Sequence, residues 1–222
     1  MNKILCFDVS NNNCSVAIAN GQEILVFKQE LKPSVQAEKL LVMIEAALKE
    51  TNMDYSDIDY LCVTVGPGSF TGIRIGLATA QGIIYASNIK GIGITNFAAA
   101  FYRLKMQVKL FDSAIILLNA YRNQLYVQQF FQDGSALDPV LMDTIDIKDY
   151  LANQPGTLVC TGSGLKEVYD QIKDMDNLIL LPRFPTIRAI HIARCADEKI
   201  ISGKFSPIEP LYIRPPDAVP PK

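Results

Sequence analysis

Four turns and a single histidine hold most of the side chains in this sequence that could do chemistry. The longest, Gly66-Pro67-Gly68-Ser69-Phe70-Thr71-Gly72-Ile73-Arg74, follows the apolar run Leu61-Cys62-Val63-Thr64-Val65 and precedes a small-residue helical pattern from Thr71 to Ala86. It is therefore a strand-to-helix turn. As a phosphate cradle it departs from two templates. No Lys-Ser/Thr pair follows its spaced glycines as in a P-loop, and Thr71 stands where a dinucleotide fingerprint has its third glycine. Pro67 also removes one backbone donor. The free N–H groups of a helix start can still hold an anion, with Ser69 or Thr71 assisting and Arg74 one turn along. The competing reading is a tight connection with no ligand.

The other candidates are chemically poorer. Asp8-Val9-Ser10, Asn119-Ala120-Tyr121 and Gly162-Ser163-Gly164 fall where an actin-like ATPase or sugar kinase would hold its nucleotide. Asp8 alone binds Mg²⁺ weakly through oxygen, or else caps the turn after the first strand. Asn119 cannot take a proton from a hydroxyl, and no glycine follows it to let a phosphate approach. His191 is the only histidine, so a two-histidine metal site is excluded and a Ser-His-Asp centre would have to use this residue. It sits in an apolar-rich helical run, and no G-x-S-x-G elbow is present.

Composition narrows the classes further. The chain has 222 residues, 49% of them apolar, and a formal charge of −2, which argues against strong autonomous nucleic-acid binding. The most basic windows, Arg103 to Lys109 and Arg183 to Arg194, are dilute and interrupted by apolar residues. Five cysteines, odd in number and without C-x-x-C spacing, fall mostly in apolar runs and favour a reducing cytoplasm. Only four apolar residues separate Lys3 from Asp8, too few for a signal-peptide core, and no stretch approaches the length of a membrane helix. A protein neither exported nor inserted is expected.

The elements that must position these residues recur in order. Strands are expected at Ile4 to Phe7, Ser15 to Ala19 and Ile24 to Gln29, the last two joined by a primed turn at Asn20-Gly21 with both central residues at positive φ. After Pro33, with Ser34 as N-cap, Ala37, Leu40, Leu41, Ile44, Ala47 and Leu48 give an amphipathic helix ending near Thr51. The strand Tyr60 to Val65, the glycine turn and the helix Thr71 to Ala86 complete a β-β-β-α-β-α series. A short strand, Gly91 to Thr95, and a helix, Phe97 to Met106, cross to a second half. There strands at Ala114 to Leu118, Leu125 to Phe131 and Leu137 to Met142, a helix near Ile147 to Leu151, a strand Leu158 to Thr161 and a helix from Leu165 repeat the series. A strand Leu178 to Leu181 and a helix from Thr186 to Ile201 close the folded part. The Pro-rich remainder reads as an extended arm in which Leu211-Tyr212-Ile213 can dock on the body.

Two meanders each followed by α-β-α do not suit an ordinary doubly wound sheet. The fold class expected is α/β, with duplicated actin-like (ASKHA, ribonuclease-H-like) lobes. Residues 1–104 form the first lobe, 105–206 the second with its closing helix at 186–201, and 207–222 the arm. Within the helix after the turn, Gly72, Gly76 and Thr79 line one narrow face, while Arg74, Gln81 and Tyr85 share another side. Each glycine costs up to ~1 kcal/mol relative to alanine, so close backbone packing is the expected compensation. That packing is either against the protein's own sheet or against another subunit.

Together these segments resemble a known family. Val65 to Gly76, the opening Ile4 to Ser10 with Cys14-Ser15-Val16-Ala17, and Ala37-Glu38-Lys39-Leu40-Leu41 are similar to the bacterial TsaB (YeaZ) proteins of tRNA threonylcarbamoyladenosine biosynthesis. Asn119 to Arg122 with Tyr126 resembles that family's Asp-Ala-Arg…Tyr stretch, and Pro210 to Arg214 its C-terminal Pro-x-Tyr-Leu-Arg. The resemblance implies a non-catalytic partner of the metal-dependent transferase TsaD, joined by the small ATPase TsaE, a homodimer when isolated, and contact with tRNA only through the complex. It implies no intrinsic cofactor, ATP or ADP being held only at a subunit interface or on TsaE and metal only on TsaD. The interface it implies uses Glu38, Leu41 and Glu45 of one helix. From the other helix and the turn before it come Ser69, Phe70, Thr71, Gly72, Arg74, Ile75, Gly76 and Gln81. Asp8, Ser10, Gly68 and Ser69 would be vestigial or shared anion contacts. Two departures from the family are Ala37, where histidine is frequent, and Asn119 with Tyr121, where the family has Asp and Arg.

Overall fold

The computed structural model describes residues 1–214 apart from Asn12, Pro33, Phe184 and Pro185. Its strands are β1 (Lys3–Asp8), β2 (Cys14–Asn20), β3 (Glu23–Glu30), β4 (Tyr60–Gly66), β5 (Lys90–Thr95), β6 (Ser113–Asn119), β7 (Gln124–Phe131), β8 (Val140–Asp143), β9 (Leu158–Thr161) and β10 (Leu178–Leu181). The helices are α1 (Gln36–Glu50), α2 (Phe70–Ser87), α3 (Asn96–Lys105), α4 (Ile147–Ala152), α5 (Leu165–Ile172) and α6 (Ala189–Ser202). The chain divides into two units: Met1–Val108 with Pro185–Leu211, and Lys109–Phe184 with Tyr212–Lys222.

In the first unit the sheet order is β3-β2-β1-β4-β5, with β1 to β3 antiparallel and β1, β4 and β5 parallel. Alternation sorts its side chains onto two buried faces. Leu5, Phe7, Val16, Ile18, Leu61 and Val63 meet Leu40, Ile44 and Ala47 of α1 and Ile73, Leu77 and Ala80 of α2. Ile4, Cys6, Ala17, Ala19 and Cys62, on the other face, are equally buried, and α6 packs there across β1 to β5 with α3 beside it. Burying both faces is why these strands read as nearly unbroken apolar runs. The second unit repeats the plan, in the order β10-β9-β6-β7-β8, around Ile115, Leu117, Leu125, Val127, Ile147, Leu151, Leu165 and Val168. Replacing β6 by β1, and so on along the chain, gives the same order, so the duplicated actin-like α/β fold is present.

Four expectations are corrected. The closing helix belongs to the first unit rather than the second, because its apolar side, Ile192, Cys195 and Ala196, fills the second face of that unit's sheet. Ser34 does not cap α1: it sits at φ 63, and Val35 holds the N-cap position without a side-chain bond. The β2–β3 turn is centred one residue late, on Gly21 and Gln22, and only Gly21 has positive φ, its N–H donating to the Asn2 carbonyl. The arm also starts earlier than residue 207, since Ser206 already joins β5. Its last prolines, Pro215, Pro216, Pro220 and Pro221, lie outside the described residues.

The arm docks through places where β4 and β5 lack side chains. Gly93 N–H donates to the Ser206 carbonyl at 2.9 Å, and Leu211 N–H to the Val65 carbonyl at 2.8 Å. A Cβ on Gly93 would run into the Pro207 carbonyl, one on Gly91 would press on Ile208 Cδ1, and one on Gly66 would lie 3.0 Å from the Leu211 carbonyl. The arm thus covers the β5 edge, which would otherwise present unpaired backbone groups. Gly93→Ala is expected to lower the urea midpoint with an unchanged m-value, a loss of roughly 1–3 kcal/mol from overpacking. An unaltered midpoint would show that the arm is not held there.

Candidate functional site

The glycine turn between β4 and α2 is filled by the protein's own backbone. Ser69 N–H donates to the Ser10 carbonyl at 2.7 Å. A Cβ on Gly68 would collide with that same carbonyl, and one on Gly72 with the carbonyl of Val9. Gly76 faces Val9 Cγ2 and Val63 Cγ2, at 3.0 and 3.3 Å from where its Cβ would be. Ser69 is the N-cap of α2, its Oγ accepting from Gly72 N–H at 3.2 Å. The glycines are needed because the β1–β2 loop occupies the concavity in which a phosphate loop would hold its anion.

Under the turn lies a buried polar network. Asp8 Oδ1 accepts from Ser10 N–H at 3.0 Å, Ser10 Oγ at 2.6 Å and Thr64 Oγ1 at 2.5 Å. Asn96 Nδ2, at the start of α3, donates to Ser10 Oγ and to the Pro67 carbonyl, both at 2.8 Å. Asp8 therefore ties β1, its loop and β4 into one unit, and Asn96 adds the glycine turn. Burial raises the Asp8 pKa, and the donors from Ser10, Thr64 and Asn11 only partly oppose it. Asp8 Oδ2 and Asn96 Oδ1 are buried without a hydrogen-bond partner.

The structure brings the four expected anion contacts together but turns them in different directions. Gly68 and Ser69 are at the surface, whereas Asp8 and Ser10 are wholly buried within the network shared with Thr64 and Asn96. As direct ligand contacts those two are corrected. Among the expected interface residues, Glu38, Leu41 and Glu45 of α1 are exposed, as are Ser69, Phe70, Thr71, Arg74 and Gln81 at and along α2, with Ile75 half-buried. Gly72 and Gly76 are buried against Val9 and Val63 and present nothing to a partner. The small-residue face is packed on the protein's own sheet.

What remains outward is a helix pair with large side chains. The Arg74 guanidinium stacks 3.8 Å from the centroid of the Phe70 ring, and Phe70 is 51% exposed. Tyr85 on α2, 94% exposed, and Val42 on α1, 58% exposed, are also turned outward and were absent from the expected set. Only helical spacing signals them: Tyr85 lies one turn beyond Gln81, and Val42 one turn beyond Glu38.

The second unit repeats the closed turn. Cβ atoms on Gly162 and Gly164 would strike the backbone of Leu117 and the side chain of Leu125, and Ser163 Oγ accepts from Asn119 N–H at 3.1 Å. Asn119 donates to Glu167 Oε1 at 3.0 Å and accepts from Tyr121 N–H at 2.6 Å. Tyr121, Arg122 and Asn123 follow in three consecutive positive-φ conformations. Arg214 ties this loop down through the Ala120 carbonyl at 2.9 Å and Gln124 Oε1 at 2.6 Å.

His191 is largely buried, and its Nδ1 accepts the Arg188 N–H at 3.1 Å, so it closes the first turn of α6. Burial, followed by Arg103, Arg188 and Arg194, pushes its pKa down to about 4, so it is neutral at pH 7. Burial likewise raises the thiols of Cys6, Cys14, Cys160 and Cys195, and all five cysteines are free. Among the described residues no group of three or more His, Cys, Asp or Glu is placed to hold a metal ion. No helix among them is long and apolar enough to cross a membrane.

These features define a class: a duplicated actin-like protein whose nucleotide-loop positions are packed shut by its own chain. Residues 34–173 match the family model described as TsaD, tRNA N6-adenosine threonylcarbamoyltransferase. The chain belongs to that family, and over its length it is similar to proteins named TsaB and YeaZ. It is 26% identical over 226 aligned positions to the tRNA threonylcarbamoyladenosine biosynthesis protein TsaB of Escherichia coli K12, covering 96% of this chain and 94% of that one. The tRNA N6-adenosine threonylcarbamoyltransferase of Ligilactobacillus salivarius UCC118 is 30% identical over 146 residues, 58% of this chain but only 43% of that protein. Among solved structures, YeaZ from Pseudomonas aeruginosa superposes with TM-score 0.77 at 20% identity over 96% of this chain and all of the other. The ROK hexokinase of Thermus thermophilus gives 0.52 at 12% identity over 91% and 99%, which speaks for the shared fold alone.

A raised carboxyl pKa in the folded state means that Asp8 contributes stability below its unfolded pKa and loses it as pH rises through the folded value. Asp8→Asn keeps the Oδ1 acceptor without the buried charge. Its melting temperature is expected to exceed the parent's at pH 7.5, with the gap closing as pH falls toward the ordinary carboxyl range. A parent that melts higher at pH 7.5 would mean the ionised carboxylate is fully satisfied.

Proposed function

We propose that this chain is a TsaB-type subunit of the machinery that makes tRNA N6-threonylcarbamoyladenosine, without an active site of its own. It binds a TsaD-type transferase through the outward faces of α1 and α2, and TsaE joins the pair. The observation that carries this reading is end-to-end similarity to TsaB in a chain whose two glycine turns are filled by its own backbone. Asp8 is buried with one oxygen held by Ser10 and Thr64, and His191 Nδ1 is taken by the turn that opens α6, so neither is presented to a substrate for proton transfer. Metal chemistry belongs to the transferase, and ATP or ADP to TsaE or to a subunit interface. In isolation the same α1–α2 surface pairs two copies of the chain. Its setting is the cytoplasm, where the five free thiols are stable and tRNA is met through the complex.

An actin-like small-molecule kinase is the second reading that the fold permits. Asn119 offers no base, and Gly162 to Gly164 are packed on β6, so no observation favours it. Steady ATP turnover by the purified chain would nevertheless reverse the assignment.

The interface is tested by co-elution with the cognate TsaD. Phe70→Asp and Leu41→Asp, both at exposed positions, are expected to abolish co-elution and leave the melting temperature within about 2 °C of the parent's, as surface substitutions do. Gly76→Leu is expected to behave oppositely, overpacking Val9 and Val63 and costing roughly 1–3 kcal/mol. Co-elution that survives both aspartate variants would remove α1 and α2 from the interface.

A further inference from the structure

The two most basic stretches of the sequence, Arg103 to Lys109 and Arg183 to Arg194, are each dilute along the chain. In the first unit the fold draws parts of both together, because α3 packs on α6. Arg188 immediately precedes α6, and His191 and Arg194 follow it at successive steps of three residues. Arg103, in the last turn of α3, lies near enough to Arg188 for that charge to add to burial in lowering its pKa, and after burial all three arginines lower that of His191. Acids nearby on α6 are engaged elsewhere: Asp197 accepts from Gln22 at 2.6 Å and Glu198 pairs with Lys105 at 3.2 Å. Among the described residues no ion pair joins Arg188 or Arg194 to a carboxylate. Arg188 Nε is buried without a partner, its guanidinium 5.7 Å from the Phe27 ring centroid, and Arg194 is exposed.

Guanidinium groups gathered around a neutral imidazole repel one another unless an anion sits among them. The helix start does not supply the site, since Ala189 N–H is taken by Ser15 Oγ and Arg188 N–H by His191 Nδ1. What is left outward is the guanidinium of Arg194 and the part-exposed one of Arg188, with Glu198 held by Lys105 one turn beyond Arg194. The planar forks of the two arginines match phosphate oxygens in pairs, whereas a peptide would also bring N–H groups in need of acceptors.

We propose that Arg188 and Arg194, flanked by Arg103, form a phosphate site that engages the sugar–phosphate backbone of an RNA. The choice of RNA rests on the function proposed above, whereas the phosphate chemistry rests on the arginines themselves. A few such contacts in one place suit a chain of net charge −2 that meets RNA inside a complex rather than alone.

The test measures the affinity of the chain–TsaD complex for a tRNA transcript as a function of KCl. Arg188→Gln/Arg194→Gln is expected to lower the log–log salt slope by about two, and Arg194→Gln alone by about one. Co-elution with TsaD should be unchanged. Slopes equal to the parent's overturn the inference. The single variant keeps the experiment decisive if the double variant melts early. Should the parent fail to co-elute with TsaD, the function proposed above fails, and the site is then judged on the chain alone. The only histidine gives a single set of ring resonances in the NMR spectrum. Inorganic phosphate is expected to move them saturably in the parent and not in the double variant. No shift in the parent, or equal shifts in both, overturns the phosphate site. A response to ATP at concentrations where the transcript gives none overturns the assignment to RNA.

Discussion

Much of the first unit depends on one hydrogen bond between backbones, from Ser69 N–H to the Ser10 carbonyl. It holds the start of α2 against the loop after β1, and it leaves no room for side chains at Gly68 or Gly72. The Asp8 network lies directly beneath, fixing Ser10 from the other side. A buried carboxyl with one unpartnered oxygen is a costly way to hold a loop. It is tolerable because the same oxygen set joins β1, β4 and, through Asn96, the start of α3, so three elements share the cost of a single desolvated group.

The second unit meets the same geometric problem with different residues. Gly162 and Gly164 again make way for the strand that pairs beside them, but the hydroxyl of Ser163 now accepts from the Asn119 backbone. The hub is Asn119 bonded to Glu167, not a buried acid. Because topology and glycine placement repeat while the polar chemistry does not, the glycine turns are better understood as packing devices of the fold than as remnants of one binding loop. An anion loop keeps its N–H groups open, and here both turns are closed by carbonyl oxygens.

The fold was readable because its signals are periodic and local: three strands, a helix, a strand and a glycine turn, twice over. The ownership of α6 was not readable. Its apolar stripe says that it covers a sheet, but nothing local says which, and it follows the second unit in sequence while completing the first. The side of α2 that faces inward was undecided for a similar reason. Gly72, Gly76 and Thr79 on one face announce close packing, but whether the close neighbour is Val9 of the same chain or a partner depends on a loop some sixty residues earlier. The approach of Arg103 to Arg188 was equally invisible, since it exists only once α3 packs on α6.

Once the glycine side of α2 is fixed inward, the composition of its outer side has to be accounted for on its own terms. A surface helix that only shields a core normally turns charged or small polar residues to water. Here, among small residues such as Thr71, Ala78, Gly82 and Ala86, the outward positions also carry Phe70, Arg74, Gln81 and Tyr85, and the neighbouring helix adds Leu41 and Val42 between Glu38 and Glu45. Stacking of Arg74 on Phe70 shields part of that ring without burying it. An apolar surface with charges at its margin, carried by two helices held at a fixed angle to one sheet, is the composition expected of a docking face rather than of a solvated one. The packing that closes the glycine turn also holds those outward side chains on one rigid sheet, so under the proposed function little entropy would be spent in ordering them.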